Sequence, residues 1–158
     1  MDPSCVKEPF QVFIIMKIII TGGTGFLGSS LTQKLRADGH EVHTISRHSL
    51  SPKDLVGQSF HHTFDLTQDT LPQSLLNHTD VFFHVAAKAG VWGKSSEFYD
   101  ANVRSTENIV AACQLSNIPR LIYTSTPSVV FSGNSIKNGN ESLQYGNSSF
   151  SAYAKTKS

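Results

Sequence analysis

The stretch Ile18-Ile19-Ile20-Thr21-Gly22-Gly23-Thr24-Gly25-Phe26-Leu27-Gly28 decides the fold. Its first three residues form a short, wholly apolar, β-branched run, which suits a central strand of a parallel sheet covered on both faces. Gly22, Gly25 and Gly28 then fall in the spacing GxxGxxG, and Leu27, Leu31 and Leu35 recur every four residues until Gly39 offers a helix stop. The order is strand, glycine turn, helix. Such a turn needs glycine because its backbone takes unusual dihedrals and must let a pyrophosphate approach its N–H groups, where the helix N-terminus favours negative charge. A glycine pattern seated between a strand and an amphipathic helix points to a dinucleotide; a lone one would not.

Outward from that unit the alternation continues. EVHTIS over 41–46 is a second strand, SFHHTF over 59–64 a third of edge character, and DVFFHVAA over 80–87 a fourth, preceded by a weak helical stretch at 71–76. Residues 98–116 carry the longest helical signal, with Ala101, Ile109, Val110 and Cys113 near one face and Pro119 ending it. RLIYT over 120–124 is a fifth strand, and a Ser/Asn/Gly-rich loop over 132–149 leads into one last helix. Strands alternating with helices predict an α/β fold, a Rossmann-type doubly wound parallel sheet.

Composition narrows the function classes. Among 158 residues, 13 Lys and Arg stand against 12 Asp and Glu, a net charge of +1 that does not suit a dedicated nucleic-acid binder. A hydrophobic fraction of 39% supports a packed core rather than a disordered tail. Two cysteines, Cys5 and Cys113, are too few for a disulfide framework and fit a reducing, cytoplasmic compartment. The apolar run FQVFIIMKIII over 10–20 is interrupted by Lys17 and lacks a small-residue cleavage site, so it is neither a signal peptide nor a membrane span. Met16 stands just before the first strand, and residues 1–15 read as an extension outside a dinucleotide-binding domain over 16–158.

Ribose recognition is decided about 20 residues beyond the glycines, where an acid would bind a 2′-hydroxyl and a basic residue a 2′-phosphate. The second strand ends in Ser46 and Arg47 with His48 beside them, while the nearby acid, Glu41, sits at the opposite end. NADP is therefore favoured over NAD, the alternative being that Arg47 is an ordinary surface arginine. Asp65 after the third strand can accept from an adenine amino group or form a turn. Ala86 and Ala87 at the end of the fourth strand leave room for a coenzyme or for helix packing. The histidines at 40, 43, 48, 61, 62, 78 and 84 form no metal-like constellation, since His61 and His62 on a strand point to opposite faces.

TGGTGFLG, HVAAKAG, DANVRSTENIV, YTSTPSVVF and YAKTK occur in the order seen in the extended short-chain dehydrogenase/reductase superfamily. Within it, KAGVWG and TPSVVFSGNSIKNGNESLQY resemble the 3β-hydroxysteroid dehydrogenase branch, in particular sterol-4α-carboxylate 3-dehydrogenases and 2-alkyl-3-oxoalkanoate reductases. The resemblance implies an NAD(P)-dependent oxidoreductase acting on the CH–OH group of a small-molecule substrate, a bulky apolar alcohol or β-keto compound. Tyr153 would exchange a proton with the substrate oxygen. Lys157, one helical turn on, would lower the phenol pKa from about 10 and bind the nicotinamide ribose. Thr126, with Ser125 as its neighbouring candidate, would orient the substrate oxygen, and Asn102 would support the lysine. Coenzyme contacts are implied at Gly22, Gly25, Phe26, Leu27, Gly28, Arg47, Asp65, Leu66, Ala86, Ala87, Lys88, Tyr153 and Lys157. Trp92 would line the pocket or simply pack.

Family members continue for about another 150 residues, close to a second domain by ordinary sizes. The chain therefore reads as the coenzyme-binding half of a protein that dimerises in its longer form, and as one that alone binds NADP weakly and turns over little substrate. Two other functions remain: a sugar-nucleotide epimerase or dehydratase of the same superfamily, and a non-catalytic nucleotide-binding module.

Overall fold

The computed structural model describes residues 14–50, 60–90, 92–146 and 151–158. Most of the extension expected at 1–15, and positions 59 and 147–149 of the expected strand and loop, lie outside the described residues. Five parallel strands form one sheet: β1 Lys17–Thr21, β2 Glu41–Ser46, β3 His61–Thr63, β4 Val81–His84 and β5 Leu121–Tyr123. Their spatial order is β3-β2-β1-β4-β5, so the chain reverses its direction of winding between β1 and β4. Ligands of open α/β sheets bind where such a reversal opens a crevice beyond the C-terminal strand ends.

Helices α1 Phe26–Ala37, α2 Gln73–Leu76, α3 Ser95–Phe98, α4 Ser105–Leu115 and α5 Ala152–Lys157 complete the fold. Ile19, Ile45 and Phe82 face one side of the sheet and meet Leu75, Leu76, Ile109 and Cys113. Ile18, Ile20, Val42 and Val81 face the other, with Leu31 and Leu35 of α1 packed against them. Each such side chain taken from water contributes about 1.5 to 3 kcal/mol. Lys17, which interrupts the apolar run, is the first residue of β1 and donates from Nζ to the carbonyls of Leu75 (2.7 Å) and Asn77 (2.8 Å), satisfying the C-terminal end of α2.

The structure departs from the sequence reading at four places. Leu27 does not join Leu31 and Leu35 on the core face; it is 52% exposed at the mouth of the crevice. β4 stops at His84, because the N–H groups of Val85 and Ala86 donate to Thr21 Oγ1 (3.2 and 3.1 Å) instead of continuing a strand ladder. The long helix begins at Ser95 and is interrupted by a π-helical segment, Tyr99–Arg104, between α3 and α4. A 3₁₀ turn, Pro127–Val130, follows β5.

Candidate functional site

The glycines act for different reasons. Gly22 has φ +69°, and a Cβ there would come within 2.9 Å of the Ala86 backbone. At Gly28 a Cβ would collide with the Gly22 carbonyl, so this glycine lets α1 pack against the turn. Gly25 differs: its φ is −79°, an ordinary extended value, and a Cβ would meet only the Gly22 oxygen at 3.3 Å. The fold itself makes little demand for glycine there, whereas a ligand lying on the N-terminus of α1 does. That helix start has no side-chain cap and no acid in its first turn, so its N–H groups and positive dipole end are left for an anion.

A cavity of about 680 Å³ runs from this turn across the C-terminal strand ends. Gly22, Gly25, Phe26, Leu27, Gly28, Arg47, Asp65, Leu66, Ala86, Ala87, Lys88, Tyr153 and Lys157 all line it. The structure thus brings together every residue that the sequence associated with a coenzyme. Thr126 and Asn102 do not line it. Thr124, Ser105 and Glu97 do, and sequence reasoning missed them. Thr124 lies one residue past β5, where its N–H donates to the His84 carbonyl (3.1 Å); its place at a strand end was the available signal.

At the ribose end, Arg47 is exposed on the wall near Asp65. The Asp65 carboxylate accepts from Thr67 N (3.0 Å) and Thr67 Oγ1 (2.8 Å), with Gln68 Nε2 at 3.3 Å, so it closes a turn. Those bonds, the Thr67 N–H foremost, hold it below the usual carboxylate range, with the Arg47 charge adding to the effect. His61 and His62 do face opposite ways: His61 Nδ1 meets Thr44 Oγ1 at 2.9 Å, whereas His62 Nε2 meets His43 Nδ1 at 2.9 Å.

At the other end stands α5. Ser151 caps it by accepting from Ala154 N (3.0 Å). Lys157, four residues after Tyr153, is only 4% exposed, and its Nζ lies 3.9 Å from the centroid of the Tyr123 ring. Among the described residues no carboxylate or carbonyl pairs with this ammonium. Burial accordingly pulls its pKa from 10.5 to about 8. A buried lysine without a counterion, facing a cavity, is the kind of charge that a fold keeps for a purpose.

Asn102, 1% exposed in the π-helical segment, works on backbone. Its Oδ1 accepts from Lys88 N (2.7 Å), and its Nδ2 donates to Lys88 O (3.0 Å) and Thr156 Oγ1 (3.0 Å). It thus ties the loop after β4 to the helix that carries Tyr153 and Lys157. Lys88 itself turns its ammonium to Glu97 Oε2 (2.9 Å) and over the Phe98 ring. The Thr126 hydroxyl caps the 3₁₀ turn, accepting from Ser128 N at 3.3 Å. Ser125 is exposed beside it, and Trp92 is 91% exposed and packs little.

The model of the 3-beta hydroxysteroid dehydrogenase/isomerase family matches residues 19–158. The 2-alkyl-3-oxoalkanoate reductase of Shewanella oneidensis is 36% identical over 138 residues, 87% of this chain and 35% of that protein. A mouse sterol-4-alpha-carboxylate 3-dehydrogenase (decarboxylating) is 32% identical over 141 residues, 89% of this chain and 38% of the relative. Among solved structures, a UDP-glucuronic acid 4-epimerase from Bacillus cereus in complex with UDP-glucuronic acid and NAD superposes with a TM-score of 0.74 at 28% identity, over 90% of this chain and 49% of the other. The chain belongs to the 3-beta hydroxysteroid dehydrogenase/isomerase family and spans well under half the length of these curated relatives.

Proposed function

We propose that residues 16–158 form the nicotinamide-dinucleotide-binding part of an oxidoreductase acting on a CH–OH group, with NADP as the preferred coenzyme and NAD as the alternative. The observation that carries this reading is the cavity between Gly25 and Lys157: an anion-ready helix start at one end and, at the other, a buried ammonium with no carboxylate partner among the described residues. The residues fit such a coenzyme. Gly25 leaves a cradle that a Cβ would fill, Ala86 and Ala87 keep the floor flat, and Arg47 offers the charge for a 2′-phosphate. Bound there, a nicotinamide supplies hydride chemistry to a carbon substrate.

The chain's own side chains handle the proton. Tyr153 Oη gives a proton to, or takes one from, the substrate oxygen, with Lys157 one helical turn on and lining the same cavity. Thr126, its hydroxyl one residue past the Ser125 position, orients the substrate oxygen once the substrate-binding segments are in place. Asn102 sets the position of the Tyr153 and Lys157 helix through Thr156.

The relatives that match in sequence support a bulky alcohol or β-keto substrate, one being named a 2-alkyl-3-oxoalkanoate reductase and another a sterol dehydrogenase. This chain alone binds NADP weakly and turns over little substrate; its longer form is a homodimer with no nucleic-acid partner. A cytoplasmic setting belongs to the same reading, supported by the buried, free thiol of Cys113. Among the described residues no helix is long and apolar enough to cross a membrane.

Fluorescence titration with NADPH and NADH, for the wild type and Arg47→Ala, tests the coenzyme. NADPH should bind more tightly, and only its affinity should fall in the variant; equal affinities throughout would exclude NADP preference. Incubation of the full-length form with NADP and a 2-alkyl-3-oxoacid or hydroxysteroid, against a UDP-sugar, tests the substrate class.

A further inference from the structure

His84 is 1% exposed and sits at the end of β4, beneath the floor of the cavity. Its Nδ1 lies 2.7 Å from Thr21 Oγ1 and its Nε2 3.0 Å from Thr106 Oγ1. The neighbours of these two hydroxyls determine which ring nitrogen carries the proton. Thr106 spends its one hydrogen on the Asn102 carbonyl, at 2.5 Å, so toward His84, and toward the Tyr123 hydroxyl that it also meets, its oxygen can only accept. His84 Nε2 must therefore be the donor. Thr21 Oγ1 already accepts from the N–H groups of Val85 and Ala86, which leaves its own hydrogen to donate to His84 Nδ1. Every polar atom in the chain Ala86, Thr21, His84, Thr106, Asn102 is satisfied in one way, with a neutral imidazole in the Nε2–H form.

We infer that His84 is a positioning residue: its neutral Nε2–H imidazole links the coenzyme floor at Val85 and Ala86 to the π-helical segment at Asn102, and through Asn102 to the helix bearing Tyr153 and Lys157. The two ends of the cavity are thereby set as one unit. The other groups facing the ring agree with a neutral imidazole. From α5 comes the Lys157 ammonium, and from β5 the Tyr123 ring at 5.7 Å, so a second buried cation would have no partner. Burial first, and the Lys157 charge second, bring the His84 pKa from 6.5 to about 4.

The inference rests on the dinucleotide reading only for its ligand-binding measurement. Nitrogen NMR of the wild-type chain at pH 7 should show His84 protonated at Nε2 and bare at Nδ1; the opposite tautomer or an imidazolium would overturn the proposal. Two variants test the linkage without ligand. His84→Gln keeps one donor and one acceptor, while His84→Leu keeps neither. In the Leu variant the amide signals of both Ala86 and Thr156 should move, and in the Gln variant both should stay near their wild-type positions. Movement confined to Ala86, or equal movement in the two variants, would refute a link across the cavity. Where the wild type binds NADPH, the Leu variant should raise its dissociation constant about tenfold and the Gln variant less than about threefold. Absence of NADPH binding by the wild type counts against the proposed function, and the ligand-free spectra still decide the role of His84. Should the Leu variant fail to fold, the wild-type tautomer and the Gln spectra decide it.

Discussion

Replacing Lys157 by Met should make the protein more stable while removing the charge at its site. The side chain is 4% exposed and meets an aromatic ring rather than a carboxylate. Its pKa falls from 10.5 in the unfolded chain to about 8 in the fold, a gap that corresponds to about 3 kcal/mol of cost for holding the charged form at pH 7. Met fills a similar volume without that cost but loses the contact with Tyr123, which contributes about 1 to 2 kcal/mol when desolvated. The net expectation at pH 7 is a gain of about 1 to 2 kcal/mol, or roughly 2 to 8 °C in melting temperature for a chain of this size. The sign of the pH dependence follows from proton counts. Between pH 8 and 10.5 the unfolded chain holds a proton that the folded one has released, so the wild type gains stability as pH rises through this window. About 2 kcal/mol of the difference between the proteins should vanish between pH 7 and 9.5. Urea unfolding of both at the two pH values measures this directly, and the comparison cancels contributions from other groups. A Met variant that is less stable than the wild type at pH 7, with the same pH slope, would refute the reading of Lys157 as an uncompensated buried cation.

The glycines of the turn should separate by role. Gly28→Ala should cost about 3 kcal/mol or more through its clash with the Gly22 carbonyl, whereas Gly25→Ala should unfold near the wild-type urea midpoint yet bind NADPH at least about tenfold more weakly. Asn102→Leu leaves the Lys88 N–H and C=O without their buried partner and should lower stability by about 3 kcal/mol, read from chemical denaturation. In acid, the folded His84 stays neutral down to about pH 4 while the unfolded one takes a proton below 6.5, so stability is lost as pH falls. Between pH 7.5 and 5 the wild type should lose about 2 kcal/mol more than His84→Gln, and equal losses would remove His84 as the source.

The sheet was legible because its strands are coded by short apolar runs whose faces are both covered. Ile18–Ile20 reads correctly because it is wholly apolar, and the 41–46 segment because its polar His43 and Thr44 bond to other side chains, those of His62, Glu41 and His61, and leave the backbone ladder intact. The glycine turn was legible for a related reason: a positive φ at Gly22, close packing at Gly28 and open space above the helix start at Gly25 each ask for glycine at that spacing. What escaped were features created by side-chain oxygens acting on distant backbone. β4 ends early because Thr21, 64 residues before Val85, captures its amide. The 3₁₀ turn exists because Thr126 caps it and Pro127 supplies a fixed φ, a local signal in a hydroxyl-rich stretch that also offers candidate catalytic groups. Leu27 fitted the apolar period of α1, yet that helix starts at the cavity mouth, where its first turn has no core to face.

The π-helical segment was the hardest feature to foresee, and the reason lies in the periodicity itself. Phe98, Asn102, Ser105, Ile109 and Cys113 are the buried positions of the long helical region, a spacing that an uninterrupted α-helix satisfies equally well. Apolar periodicity alone marks Ala101 as a facing position, and Asn102 stands out only through the family resemblance, because two polar residues inside the stripe look like a break in it. Their burial has another logic. The hydroxyls of Ser105 and Thr106 take the carbonyls of Ala101 (2.6 Å) and Asn102 (2.5 Å), satisfying backbone where the regular helical ladder is disturbed. Asn102 can then direct its amide at Lys88 and Thr156 together. Polar residues at core positions of an amphipathic helix are thus the sequence mark of a helix that has changed its hydrogen bonding to hold two other segments in place. Here those segments are the loop beside the coenzyme cavity and the helix carrying Tyr153 and Lys157.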